Sequence, residues 1–510
     1  MNIRCGRNVY GWRENRLRMG MALLLAGIVG LGLSSEAAFG QAAGASQRQR
    51  ILEEPFRLQM DEQVPTGKRV VFDYGGWFRS SYWAVDEDVS RGLSNRDDGY
   101  HALRWQQLRV WGFLNLDQVH QFYARGKLDY WDWNHGTSYD HNDSDWEGMD
   151  LERGWYDFRL SRMRKAYGDS PSDLDMHVRL GRQYVELGTG LAMSIPLDAF
   201  LFTADYQGWQ FTFLGAQSIG STKNIDRSIP DETNEERCFW GLQLRYNGWR
   251  DHEPFFYYFE QIDKDGGQES VVGIPDPADP GETFLYNQKF GYDSQYMGLG
   301  SRGKFLHRDL QYTCEFATEC GKSYAFSPLS GEQRETIRAW ALDTELRYVP
   351  RNLRRSEASV EYLLTSGDPD RFLSPTNTMG GNRPGTNDLS FSAWGYRNTG
   401  LVLAPRLSNL GMIRVGASTF PVNHIKMFRE LRVGANYYIY HKQQSEGAIS
   451  DSLSTTNNSS LGSEIDIYTD WRITSDLAWT INYGVFVPGN AFGSDDNIRH
   501  LLFTAITLNF

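Results

Sequence analysis

Eight basic and eight acidic residues share the polar parity of short segments in which apolar and polar residues alternate. The basic set is Arg109, Arg125, Lys127, Arg159, Arg179, Arg245, Arg414 and Arg432. The acidic set is Asp129, Asp157, Glu315, Asp343, Glu345, Glu361, Glu464 and Asp466. The chemistry open to such sets is electrostatic. A cationic face in a narrow, low-dielectric conduit attracts carboxylate-bearing solutes, and arginine adds a planar fork for bidentate contact. Basic residues gather early in the chain and acidic ones late, so the two signs could set a field across a conduit. They could equally neutralise one another as cross-strand salt bridges. No signature of bond-making accompanies them. His177 and His441 sit in strand-like segments, without a Gly-x-Ser-x-Gly or comparable motif. No Cys/His spacing resembles a zinc site, and no cofactor is expected. Asp143, Asp145 and Glu147 form a weak loop candidate for calcium, lacking the glycine of an EF-hand loop.

Placing those charges on one wall requires β-strands, whose side chains alternate between two faces. Leu108, Val110, Gly112, Leu114 and Leu116 share one face; Gln107, Arg109, Trp111 and Asn115 share the other. The pattern predicts strands at Val70–Trp83, Leu103–Leu116, Gln121–Trp133, Gly154–Met163, Met176–Tyr184, Leu197–Tyr206, Trp209–Ser218, Phe239–Asn247 and Phe255–Gln261. It continues with Asp293–Lys304, Asp309–Cys320, Ile337–Tyr348, Ala358–Ser366, Leu410–Phe420, Leu431–Lys442, Gly462–Ile473, Leu477–Val487 and Ile498–Phe510. That makes about eighteen strands, or sixteen if the stretch 185–210 is not paired as drawn.

The connections alternate in length. Long ones, rich in Gly, Pro, Asp, Asn and Ser, fall at 134–152, 219–237, 263–290, 321–335, 367–409 and 443–461. Those between them are mostly tight, apart from about ten residues near Lys165–Leu174. An even strand number with short turns at one end and long loops at the other is the pattern of a single transmembrane antiparallel β-barrel. The expected fold class is therefore all-β. The final strand alternates through Leu502, Thr504, Ile506 and Leu508 to a terminal Phe510, as such barrels commonly end.

Composition agrees. The 510 residues carry a net charge of −12, which argues against nucleic acid as a partner. The mean hydropathy of −0.53 is no objection, because a wet lumen and loops dilute the apolar band. The 16 Trp, 27 Tyr and 28 Phe suit interfacial girdles. Residues 1–40 read as a Sec-type signal peptide, with Arg4, Arg7, Arg13, Arg16 and Arg18 before an apolar core at Met19–Leu33. Residues 41–67 read as a flexible periplasmic lead-in, and residues 68–510 as the barrel. Cys314 and Cys320 share one expected strand about 20 Å apart, beyond disulfide reach.

Six motifs, in order along the later two-thirds of the chain, resemble the bacterial alginate-export family of outer-membrane porins. They are Val178–Gln183, Ser366-Gly367-Asp368, Leu407-Ser408-Asn409-Leu410, Tyr440-His441-Lys442, Gly462-Ser463-Glu464-Ile465-Asp466 and Gly484–Gly493. The resemblance implies an eighteen-stranded barrel in the outer membrane that passes an anionic polysaccharide such as a uronate polymer. It implies outer-membrane lipid and a periplasmic export component as partners; a monomer is expected. One departure stands out. The alginate exporter of that family has a long late periplasmic loop that plugs the pore, whereas Thr474-Ser475-Asp476 here is a tight turn. Plugging at that position, and alginate as the specific solute, do not carry over.

Other readings of the same residues are a general or small-anion porin, an outer-membrane hydrolase on a barrel, and a secreted β-sandwich lectin or lyase. Passage of neutral sugars would mark the first. A Ser/His pair at the lipid face would mark the second. Recovery in the soluble periplasmic fraction would mark the third.

Overall fold

The computed structural model describes residues 70–86, 100–138, 143–167, 170–219, 237–264, 269–275, 283–289, 291–305, 309–324, 333–370, 383–395, 397–451, 453–493 and 497–510. The expected signal peptide and lead-in lie outside them. So do residues 220–236 of the expected connection 219–237 and residues 265–268, 276–282 and 290 of the expected connection 263–290.

The strands in chain order are β1 (Val70–Asp86), β2 (Tyr100–Leu116), β3 (His120–Trp133), β4 (Ser144–Arg159), β5 (Leu174–Leu187), β6 (Met193–Tyr206), β7 (Trp209–Gln217), β8 (Arg237–Tyr246) and β9 (His252–Asp263). Then come β10 (Glu269–Pro275), β11 (Thr283–Lys289), β12 (Tyr292–Lys304), β13 (Leu310–Tyr324), β14 (Arg334–Tyr348), β15 (Glu357–Thr365) and β16 (Trp394–Gly395). The last are β17 (Leu410–Thr419), β18 (Leu431–Lys442), β19 (Ser460–Arg472), β20 (Leu477–Pro488) and β21 (Arg499–Asn509). Apart from β10, β11 and β16, each strand pairs antiparallel with the next, and β21 pairs with β1 from Trp77↔Asn509 to Asp86↔His500. The result is a closed antiparallel barrel of eighteen strands, as the alternation predicted. β10 and β11 form a separate hairpin.

Closure meets a strict requirement. In hydrocarbon every backbone N–H and C=O must be paired within the protein, and a closed ladder does this with no free edge. The last residue joins in: Gly76 N–H donates to the Phe510 carbonyl at 2.9 Å and Phe510 N–H to that of Gly76 at 3.0 Å. The turns fit the strand twist. Asp117 and Gln118, and Gln207 with Gly208, all take positive φ in the hairpins β2–β3 and β6–β7.

Alternation then sorts the side chains. Trp77, Arg109, Tyr257, Glu315, Leu363 and Tyr438 are buried in the interior, while Val110, Leu299, Val360, Ile413, Ile439 and Ile506 are exposed on the outer face. Aromatic rings gather at the end that carries the short turns. Trp209 lies 4.6 Å from Tyr246, Phe305 4.7 Å from Tyr312 and Phe428 4.9 Å from Trp471 between ring centroids. Amphipathic rings favour the headgroup level of a bilayer. No helix among the described residues is long and apolar enough to cross a membrane.

Three expectations are corrected. First, 134–152 is not all connection: β4 begins at Ser144, where Asp132 pairs with it, and ends at Arg159 rather than Met163. Residues Leu160–Tyr167 form a helix instead, α1. Their sequence holds good helix formers, and Asp175 accepts from the Ser161 N–H at 2.7 Å and hydroxyl at 2.8 Å. Second, β5 and β6 run on to meet at Leu187↔Met193, so 185–210 is paired apart from the turns at 188–192 and Gln207-Gly208, and sixteen strands are excluded. Third, the latter part of the connection 367–409 does not stay outside the barrel but enters the lumen, as described below.

Val110 stands near the middle of β2 on the outer face. Val110→Arg is expected to cost about 2–4 kcal/mol, the penalty for a cation at the bilayer midplane. A lowered urea midpoint of the protein folded into lipid vesicles would show this. An unchanged midpoint would mean that this face does not meet lipid.

Candidate functional site

Strand register, set by closure, turns all sixteen charged residues singled out above toward the lumen. The early strands present a basic wall. Arg109 stands opposite Lys127, and Arg125 opposite Arg153. Like charges placed opposite each other repel, and carboxylates are threaded between them. Arg109 grips Asp129 with both terminal nitrogens at 2.5 and 3.0 Å, and its Nε is 3.3 Å from Glu152. Arg125 Nε donates to the same Glu152 at 2.7 Å, and Lys127 Nζ donates to Glu147 at 2.7 Å. Asp157 collects three partners: Arg162 at 2.7 Å, Arg179 at 2.9 Å and His177 at 2.5 Å. Arg179 also lies over the Trp155 ring, 4.5 Å from its centroid. Arg159 is 3.6 Å from Asp175.

The late strands present an acidic wall. Glu315 stands opposite Asp343, and Glu345 opposite Glu361. A buried carboxylate without donors is too costly to keep. Some donors come from the wall itself. Arg414 reaches Glu361 at 2.5 Å and Glu345 at 3.0 Å; between the two walls, Arg245 on β8 reaches Glu253 on β9 at 3.1 Å. Arg432 is 3.8 Å from Glu357.

The remaining donors come from the chain between β15 and β17, folded into the barrel. Glu464 accepts three successive backbone N–H groups, from Leu401 at 2.5 Å, Val402 at 2.7 Å and Leu403 at 2.9 Å. Asp466 accepts from Leu401 as well, at 3.1 Å. Arg397 forms ion pairs with Asp343 and, at 3.2 Å, with Glu361. Glu319 accepts from Ser392 N–H and from the hydroxyls of Tyr292 and Tyr296. β16 pairs in parallel with the start of β6 at Met193 and Ser194, and Trp394 there is fully buried against Phe239. The segment therefore spans from β6 on one side to β19 on the other. The β5–β6 connection joins it: Thr189 N–H donates to Glu315 at 2.5 Å, and Arg397 donates to the Thr189 carbonyl at 3.1 Å. Gly400 is needed at the tightest point. Its φ is +112°, and a Cβ there would collide with Tyr440 Oη and Glu464 Oε1.

The sixteen residues thus differ in what they leave accessible. The side chains of Arg159, Arg179 and Arg432 keep 39%, 34% and 36% exposure, whereas Asp157 and Glu361 keep 0% and 2%.

Several participants escaped the sequence reading. Glu152 lies at a bulge, where register shifts between Arg125 and Gly126 and again between Lys127 and Asp129. The extra residue brings both Glu152 and Arg153 into the interior, which strict parity cannot foresee. Arg397 lies in a segment with no period. Glu319 and Arg347 share the parity of Glu315 and Asp343, and extending the same count along β13 and β14 finds them. Asp143, Asp145 and Glu147 do not converge. Asp143 is held by His135 at 2.5 Å and by Gly136 N–H at 3.0 Å, which keep its carboxyl below the usual carboxylate range. Glu147 is taken by Lys127. Among the described residues no cluster of three such side chains could hold a metal ion.

Glu464→Ala removes the shared acceptor of three loop N–H groups, each worth about 1–3 kcal/mol when left unsatisfied. The loop should loosen, giving larger single-channel conductance in planar bilayers and new protease cleavage within 389–409. Unchanged conductance with an uncleaved loop would show that other contacts hold the segment in place.

The alginate export family matches residues 72–500. No curated protein matches the chain. Among solved structures, OccK5 (OpdH) of Pseudomonas aeruginosa aligns at 10% identity over 86% of this chain and 98% of its own, with a TM-score of 0.50. OccK11 (OpdR) of the same organism aligns at 11% identity over 86% and 96%, with a TM-score of 0.48. OccAB1 of Acinetobacter baumannii aligns at 11% identity over 86% and 97%, with a TM-score of 0.47. At such identity the first of these speaks for the fold alone. The match over most of its length, together with the closed eighteen-stranded barrel, places this chain in the alginate export family, as an outer-membrane β-barrel channel.

Proposed function

We propose that the protein passes anionic saccharides, of the size of uronate oligomers or longer, across the outer membrane by passive, charge-guided diffusion and without catalysis. One observation carries this reading. Within the set read from the sequence the exposed charges are cationic, although acidic and basic residues are equally numerous in it. Asp157 and Glu361 are spent on internal partners, while guanidinium groups at Arg159, Arg179 and Arg432 stay open to solvent. A solute carboxylate then meets planar donors that already carry charge, in a conduit whose low-dielectric wall strengthens the field.

The reading includes export through a signal peptide at residues 1–40, a monomeric barrel, and a periplasmic component that delivers or receives the solute. Alginate itself is one candidate solute among uronate polymers. The segment folded into the lumen narrows the passage, so it also bears on the alternative of a small-anion porin.

In planar bilayers under a KCl gradient, the reversal potential should show anion preference. Arg159→Gln/Arg179→Gln should bring that preference severalfold closer to unity, since both charges face the lumen. Cation preference in the wild-type protein would sink the reading. Free passage of neutral oligosaccharides alongside anionic ones would favour a general porin instead.

A further inference from the structure

A second basic site stands apart from the β2–β5 wall. At the end of the barrel that carries the short turns, a cavity of about 660 Å³ opens between β7, β8, β9, β12, β13 and β14. Pockets of this size suit small ligands. Its lining includes Arg245, Arg250, Arg302, Lys304 and Arg347, against Asp251, Glu253 and Glu345. The acids are oversubscribed. Glu253 serves both Arg245 at 3.1 Å and Arg302 at 2.9 Å. Glu345 is shared by Arg414 at 3.0 Å and Arg347 at 3.4 Å, which also reach Glu361 at 2.5 Å and Glu357 at 3.2 Å respectively. Lys304 and Arg250 have no ion-pair partner among the described residues, and both are exposed. Lys304 shares the inward parity of Arg302 and stands opposite Gln311. The cavity wall thus carries more cations than its carboxylates can neutralise. The rest of the lining supplies neutral hydrogen-bonding groups, among them Gln210, Asn247, Gln311 and Thr313.

We propose that this cavity is a docking site for a carboxylate borne on a hydroxylated ring, that is, a uronate-type sugar unit. Lys304 and Arg250 hold the carboxylate, and the amide and hydroxyl side chains take the ring hydroxyls. The charge excess selects the anion, and the paired arginines beneath it are fixed by Glu253 and Glu345 and so need no reorganisation. The solute class rests on the function proposed above, but the site stands on its own cavity and charge count. It would be the first or last station of a sugar chain at the turn-bearing mouth.

The test uses the full mature barrel in detergent with trigalacturonate as probe. Calorimetry should show binding that Arg250→Gln/Lys304→Gln weakens roughly tenfold, the loss expected for charge-assisted hydrogen bonds. Acetylation of Lys304, read by mass spectrometry, should be blocked by trigalacturonate and not by maltotriose. Retained heat-modifiable migration on gels would show that the double variant is folded. Three outcomes overturn the site: trigalacturonate binding unaltered in the folded double variant, Lys304 labelled equally with and without it, or equal protection by maltotriose. Equal protection by inorganic phosphate would overturn the sugar-specific part. Anion-selective conductance that survives in the double variant keeps the channel reading separate. If wild-type conductance lacks anion preference while Lys304 is still protected, the channel reading fails and the site stands.

Discussion

A strand that crosses hydrocarbon has nowhere to hide an unpaired amide, and the rest of this structure follows from that constraint. The ladder must close on itself, so β21 meets β1 in a fixed register. Once the register is fixed, so is the direction of each side chain along the regular strands. Arg109 cannot turn to lipid without taking Val110 into the lumen. The charged interior is therefore less a separate design choice than the inner half of an alternation whose outer half is imposed by the membrane.

Directing acids and bases inward creates its own demand. The basic wall of β2–β5 is relieved by carboxylates threaded between the cations, among them Asp129, Glu152 and Asp157. The acidic wall of β13–β19 has fewer cations within reach. It is completed by the segment between β15 and β17, which brings Arg397 and a run of backbone N–H groups. The same segment narrows the lumen. Electrostatic satisfaction and constriction are one event here. In this chain the late turn at Thr474–Asp476 is tight, and the filling comes from a connection at the opposite end.

How much of this was legible in the sequence follows from periodicity. Wherever a segment alternates, as Leu103–Leu116 does, both its strand and the facing of its charges could be read. The resemblance to the alginate export family at Gly462–Asp466 and Gly484–Gly493 pointed to the same barrel. Legibility ends where the period ends. One extra residue in β4 reverses parity around Glu152, and α1 interrupts an apolar pattern that looked like strand. Residues 389–409 have the Gly-, Ser- and Asn-containing composition of an outer loop, and nothing local says that they turn inward. That outcome depends on acids more than twenty residues away in sequence, on strands whose facing is known only after the barrel is closed.

The way the segment is held has a consequence for how the protein can change. Glu464 and Asp466 grip main-chain N–H groups at Leu401, Val402 and Leu403, not the side chains at those positions. Every amino acid except proline offers the same donor. The fastening is therefore written in the barrel and the main chain, and the side chains at 401–403, all buried, answer to packing rather than to the clasp. A lineage could exchange Leu401 or Leu403 for another apolar side chain that fills the same buried space while the clasp stays shut, so that packing and fastening can be altered independently.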